Sequence, residues 1–209
     1  MTKLLHISAS PRGERSESLA VAAAFLETFR AEHPATPVET FDLWDGTLPA
    51  FGPDAAAAKM AVFAGEEPRG AAATAWQHAT DTFHRFDAAD RYLFSVPMWN
   101  AGVPYVLKQL IDVISQPGLV FGFDPGQGYT GLLRGKRATV IYTSAVYGPG
   151  RGPEFGADFQ APYLGGWLRW AGVTDVNEVH FRPNLATTDA DTARRLAREQ
   201  ARDLAKRFA

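Results

Sequence analysis

The chain has 209 residues, 46% of them apolar and 21% charged, with a formal net charge of -2 and no cysteine. That length suits one α/β domain around a single large core, and the composition excludes disordered and coiled-coil classes. The charge balance gives no basic footprint for nucleic acid, and the lack of cysteine excludes disulfides, thiolate metal sites and a cysteine nucleophile.

Residues 3–8 read as a short buried strand, ended by Ser10-Pro11-Arg12-Gly13. A helical pattern runs over 18–33, with Leu19, Ala22, Ala23, Leu26 and Phe29 as apolar positions and Pro34 and Pro37 as its stop. Residues 38–43 alternate like a second strand. The stretch 44–70 holds Pro49, Pro53, Pro68 and an alanine run, and reads as a loop plus a short helix. Residues 71–89 look helical, and 91–96 form a third strand closed by Pro97. Over 103–116, Val106, Leu110, Val113 and Ile114 share one stripe, and Pro104 suits a first helical turn. Residues 117–133 read as irregular, with glycines at 118, 122, 126, 128 and 131. Residues 137–143 form a β-branched strand, 148–156 a loop rich in glycine and proline, 159–171 a helix, 173–181 a strand and 189–208 a charged helix.

This alternation predicts a three-layer α/β fold of flavodoxin-like kind, as a single domain over 1–209. Its core is a five-stranded parallel sheet of order 2-1-3-4-5 with helices on both faces. A small Rossmann domain is the alternative topology. In either, the ligand crevice lies at the carboxyl ends of the strands beside strand 1, the ends that carry residues 8–18, 97–101 and 143–148. Apolar runs such as 138–142 are too short to span a bilayer, and the first residues lack a signal-peptide core. The expectation is a cytoplasmic protein with no membrane or nucleic-acid partner.

The loop after the first strand leads directly into a helix. A helix N-terminus combines unpaired N–H groups with a partial positive charge, so it accepts anions. Ser10, Ser16 and Ser18 can each donate to a phosphate oxygen, and Arg12 and Arg15 can add charge. Ser16 or Ser18 can equally serve as a helix cap. The loop lacks the glycine spacing of a dinucleotide site, so a terminal phosphate monoester fits better than a pyrophosphate. Gly126-Gln127-Gly128-Tyr129-Thr130-Gly131 matches G-x-G-x-x-G, but it precedes a strand rather than a helix and reads as a glycine-rich hairpin or loop. The five histidines show no metal-ligand spacing, and no G-x-S-x-G elbow is present.

The run from Ser95 to Pro104 is the most specific in the chain. Its Pro97-Met98-Trp99-Asn100, followed by Val-Pro-x-x-Leu-Lys-x-x-Ile-Asp over 103–112, resembles the FMN-dependent NADH:quinone reductases known as azoreductases. The resemblance takes in Ser8-Ala9-Ser10-Pro11-Arg12, Ser16-Glu17-Ser18, Gly131-Leu132-Leu133-x-Gly135-Lys136, Ala161-Pro162-Tyr163-Leu164 and Trp170-Ala171-Gly172-Val173-Thr174-Asp175. It implies a homodimeric flavodoxin-like enzyme with one FMN per subunit, NADH as electron donor and a quinone or azo compound as acceptor. It implies phosphate contacts from Ser10, Ser16, Glu17 and Ser18. Met98, Trp99, Asn100 and Ala101 would then lie along the isoalloxazine, with Ser144, Ala145, Val146 and Tyr147 at its pyrimidine end. At this last segment the chain departs from the family's usual Ser-Arg-Gly-Gly, because Ala145 and Val146 restrict the close approach that glycines allow.

The chemistry this implies is a two-stage hydride transfer, with NADH and then the acceptor using the same place. It makes no protein acid or base obligatory, so no catalytic side chain is assigned. Phe121, Phe123, Trp167 and Trp170 are candidate walls for the acceptor, or ordinary core and interface residues. The rival reading is a flavodoxin-type electron carrier, but such carriers are strongly acidic and this chain is nearly neutral. A relative that has lost its flavin is the other rival, motivated by the altered residues after the fourth strand.

Overall fold

The computed structural model describes residues 2–208. Strands β1 (Leu4–Ser8), β2 (Val38–Asp42) and β3 (Arg91–Pro97) pair in parallel, with β1 in the middle. All five residues of β1 are buried, as expected of an inner strand covered on both faces. Helix α1 (Glu17–Glu32) makes the first crossover, and α2 (Pro53–Phe63) and α3 (Ala71–Asp87) make the second. Helix α4 (Tyr105–Ile114) follows β3.

An antiparallel hairpin comes next, β4 (Phe121–Asp124) and β5 (Gly128–Gly131), separate from the main sheet. Strand β6 (Arg137–Thr143), helix α5 (Gln160–Ala171), strand β7 (Asp175–Phe181) and helix α6 (Ala190–Lys206) complete the chain order. The five-stranded sheet runs β2-β1-β3-β6-β7, all parallel. Numbered along the chain, the order is therefore 2-1-3-6-7 and not the expected 2-1-3-4-5. The hairpin accounts for the difference, and it occupies the stretch read as irregular. Its glycines hide the strand alternation. Its turn is organised locally, by the Asp124 carboxylate accepting from the N–H groups of Gly126 at 2.8 Å and Gln127 at 2.9 Å.

Successive residues of each strand serve opposite cores. Leu5, Ile7, Phe94, Val96, Val140 and Tyr142 pack with residues of α3, α4 and α5. Leu4, Leu93, Ile141, Val179 and Phe181 face α1 and α6, where Phe25, Phe29, Ala197, Ala201 and Ala205 meet them. Each fully buried Leu, Ile or Phe contributes about 1.5–3 kcal/mol relative to leaving it exposed. Helix α5 ends at Gly172, whose φ of 105° is a left-handed cap. There the hairpin touches it so closely that a Cβ on Gly131 would lie 2.4 Å from the Gly172 nitrogen. No helix among the described residues is long and apolar enough to cross a membrane.

The carboxyl ends of the central strands are tied to one another. The N–H of Ala9 donates to the Ser95 carbonyl at 3.1 Å, and that of Met98 to the Thr143 carbonyl at 2.7 Å. The loops after β1, β3 and β6 therefore leave the sheet side by side.

Candidate active site

The loop after β1 makes one 3-10 turn, Gly13–Arg15, before α1 begins at Glu17. Ser16 is the N-cap, its Oγ accepting from the N–H of Leu19 at 3.3 Å. The capping reading of this serine is thus realised, and its hydroxyl hydrogen stays available to donate. Ser18 Oγ lies 3.1 Å from Ser16 Oγ, and Ser10, Ser16 and Ser18 are all buried. Glu17 and Ser18 occupy the first two helical positions, whose N–H groups have no acceptor within the helix. The carboxylate of Glu17 is engaged elsewhere, by Arg194 of α6 at 2.9 Å, so Glu17 can give the loop only its N–H. Arg12 and Arg15 are exposed.

In the strand beneath, His6 Nε2 lies 2.7 Å from Ser95 Oγ. Burial, assisted by the charge of Arg30, pushes the imidazole down to about 4, so it is neutral at physiological pH.

After β3, Trp99 and Gly102 exchange two backbone hydrogen bonds of 2.9 Å each. Between them Asn100 and Ala101 have φ values of 48° and 67°, which makes a tight turn of the I′ kind. Asparagine tolerates this conformation, whereas alanine in it costs about 1–2 kcal/mol. The turn is held from outside by the N–H of Phe159, which donates to the Ala101 carbonyl at 2.9 Å. Strained turns of this kind persist where the surroundings fix them, and they concentrate at ligand sites.

The loop after β6 is secured by a different strand end. Ser144 Oγ donates to the Tyr147 carbonyl at 2.5 Å. The N–H groups of Asn184, Leu185 and Ala186 donate to the carbonyls of Ser144 and Ala145 at 2.8–3.2 Å. Arg151 donates to the Val146 carbonyl at 3.2 Å and also to that of Ala186. None of these bonds uses the N–H groups of Ala145, Val146 or Tyr147. Neither Ala145 nor Val146 has a positive φ, so the loop is built without the conformations that need glycine. Gly148 is required instead for close approach, since a Cβ there would lie 2.5 Å from Pro183 Cδ.

Two cavities meet at Asn100. A small one of about 200 Å³ is bounded by Met98, Asn100 and Ala101, by residues 144–147, and by residues 155–157. A wide trough of about 990 Å³ lies on the other side, between the 50–52 segment, α4 and the start of α5, with Trp99, Tyr105, Phe159 and Tyr163 among its walls. Trp99 faces this trough and packs on Trp44 at 5.6 Å and Tyr105 at 6.2 Å between ring centroids. The serines of the first loop border neither cavity.

The four aromatics read as acceptor walls or as core and interface residues border neither cavity within one chain. Phe121 and Trp170 pack tilted with ring centroids 5.0 Å apart where the hairpin meets α5, Phe123 is exposed on the hairpin, and Trp167 is buried with its Nε1 donating to Ser115 Oγ at 3.0 Å. Of the trough's aromatics the sequence singles out Trp99 but gives no site role to Tyr105, Phe159 or Tyr163. Phe159 and Tyr163 are four residues apart at the start of a helix, and that spacing was the available signal.

The flavodoxin-like fold family matches residues 2–205. A protein of Ruegeria pomeroyi named FMN-dependent NADH:quinone oxidoreductase is 48% identical over 189 residues, covering 90% of this chain and 93% of its own. The chain belongs to the flavodoxin-like family of FMN-dependent NADH:quinone oxidoreductases. A second relative of that name, from Burkholderia lata, is 40% identical over 211 residues and covers 100% of both chains. Among solved structures, an azoreductase of Bacillus anthracis superposes with a TM-score of 0.91 at 26% identity, again covering 100% of both chains. Within this oxidoreductase family, the Ala145 to Tyr147 segment is the departure noted from the sequence. The oxidoreductase fold absorbs it because the 184–186 segment takes up the carbonyls of Ser144 and Ala145.

Proposed function

We propose that this chain is an FMN-dependent NADH:quinone oxidoreductase that passes two electrons, as hydride, from NADH to quinones and azo compounds in a ping-pong cycle. The reading rests on the 48% identity to the Ruegeria pomeroyi oxidoreductase, together with three adjacent loops whose free donors suit a flavin mononucleotide. The phosphate is assigned to the first loop. The N–H groups of Glu17 and Ser18 and the hydroxyls of Ser10, Ser16 and Ser18 supply donors at a helix N-terminus, and Arg12 and Arg15 supply charge. A phosphate monoester fits this helix start because three buried serine hydroxyls, those of Ser16 and Ser18 only 3.1 Å apart, stand beside the free N–H groups of the first helical turn.

The ring system is assigned to the ends of β3 and β6. Met98 gives it an apolar contact, the Asn100 amide and the uncommitted N–H groups of Ala145, Val146 and Tyr147 give donors for its polar edge, and the Asn100-Ala101 turn fixes where the Asn100 amide stands. Bound there, FMN supplies the hydride chemistry, which side chains lack. The residues of this chain orient it and exclude water from one side, and the trough lined by Trp99, Tyr105, Phe159 and Tyr163 offers flat apolar walls to nicotinamide and acceptor in turn. Tyr105 and Phe159 are 62% and 67% exposed, so a second copy covering them is part of the proposal, which describes a cytoplasmic homodimer of single-domain subunits with no nucleic-acid or membrane partner.

Steady-state NADH oxidation with a benzoquinone, by the purified yellow protein alone, tests the reading. Flavin absorbance with no turnover would make the chain an electron carrier, and a colourless protein that fails to take up added FMN would end the flavin assignment. Ser16→Ala with Ser18→Ala is expected to weaken FMN binding about tenfold or more, as each lost charge-assisted bond is worth roughly 1.5–3 kcal/mol. Fluorescence titration reads the change, and unaltered affinity contradicts the phosphate assignment.

A further inference from the structure

Arg182 follows β7 at the crevice end of the sheet, and its side chain is 4% exposed. Five side chains surround its guanidinium. Nη1 pairs with the Asp158 carboxylate at 2.9 Å and lies 3.4 Å from Gln160 Oε1. Nη2 donates to His180 Nδ1 at 2.8 Å. The guanidinium carbon stands 5.3 Å from the ring centroid of Tyr142 and 5.4 Å from that of Tyr147. The partners are themselves structural. The Asp158 carboxylate accepts from the N–H groups of Gln160 and Ala161 at 3.0 Å each, which starts α5. The fully buried Gln160 donates to the Val96 carbonyl of β3 at 2.9 Å.

We propose that Arg182 is a positioning residue for the active site: buried between Tyr147 and Asp158, it locks the 144–147 loop to the segment that leads into α5. Those two segments form facing walls of the small cavity, and their spacing sets how the polar edge of a ring bound there meets the N–H groups of 145–147. The inference rests on the flavin reading for its consequence but not for the lock itself. A flat, always-charged guanidinium is needed, because only such a group can pair with a carboxylate, donate to an imidazole and face two aromatic rings at once. It also supplies an answer to the missing glycines. A loop with alanine and valine in place of glycine cannot mould itself to a ligand, so its position must be set from outside.

Two readouts on the 209-residue chain test this. The first is amide hydrogen exchange on FMN-free protein, comparing wild type with Arg182→Gln and Asp158→Asn. Both variants should speed exchange of the bonded amides that report on the two segments, Asn184 to Ala186 on the carbonyls of Ser144 and Ala145 and Gly156 and Phe159 on the way into α5, together and by about tenfold, while the amides of β1 and β3 keep wild-type protection. The second is FMN affinity by fluorescence titration, expected to weaken by about tenfold in both variants. Arg195→Gln, on the exposed face of α6, should change neither. Loosening of one segment without the other, of neither, or of both with unchanged FMN affinity would overturn the proposal. If Arg182→Gln fails to fold by circular dichroism, Arg182→Lys decides on the same two readouts, since lysine keeps a charge beside Asp158 but cannot bridge to His180 and face Tyr147. A wild-type chain that takes up no FMN would overturn the flavin reading and the positioning role with it, while exchange would still report whether the two segments are coupled.

Discussion

The two ends of the crevice are built on opposite plans. The 10–18 end is local: a strand stops, a serine caps the next helix, and the donors come from residues within one turn of each other. The 144–148 end is assembled from afar. Its carbonyls are held by 184–186, its rings and walls by Arg151 and Arg182, and its closest packing is against Pro183. A local site keeps its shape as long as its helix starts correctly. A long-range site keeps its shape only while several separate segments stay in place, and in exchange its geometry can be altered by substitutions far along the chain.

Acid should strain most the strands beneath both ends, where His6 of β1 meets Ser95 of β3. The folded pKa of His6 lies below its unfolded one, so between pH 6.5 and about 4 the unfolded chain binds the extra proton. The stabilisation is complete above that window and is lost as pH falls through it, by about 3 kcal/mol in total. Urea unfolding at several pH values checks this, and His6→Asn, which keeps a partner for Ser95 but does not titrate, should flatten the slope. Next in size is Gly148→Ala, which drives a methyl group into Pro183 and should cost about 1–3 kcal/mol while leaving the first loop's serines undisturbed. Equal damage at both ends, read by hydrogen exchange, would erase the distinction between them. Ser18→Ala removes one buried partner of Ser16 and should cost about 1 kcal/mol, a fall in Tm of roughly 2–4 °C with no change in exchange at 184–186, whose N–H groups hold the 144–147 loop. The smallest effect is a gain. Ala101→Gly relieves a left-handed alanine and should stabilise the chain by about 0.5–1 kcal/mol in urea midpoint.

The same contrast explains what the sequence discloses. The layers, the strand ends and the first loop are legible because periodicity, prolines and a capping serine act over a few residues, as at Ser16 and Pro34. The hairpin is legible only in part: the run 126–131 reads as a hairpin or loop, but glycines at 122, 128 and 131 remove the side chains that would mark two strands. Trp99 stands out in its motif, but its packing on Trp44, which lies a whole crossover earlier in the chain, does not. Phe121, Trp167 and Trp170 look like walls by composition, yet the contact of Gly131 with Gly172 draws the hairpin onto α5 and occupies Phe121 and Trp170 there. Nothing near Tyr147 announces Arg182, because the partnership exists only once β6 and β7 lie in register.

The Asn100-Ala101 turn separates the two cavities by the thickness of a single chain, with Asn100 bordering both. A partition that thin belongs to two rooms. Any substitution in it redraws the outline of each, so the preferences of the two chambers cannot drift independently over generations. Selection for a bulkier guest on one side will be registered as a change of fit on the other, and variants at position 100 or 101 should be scored against both.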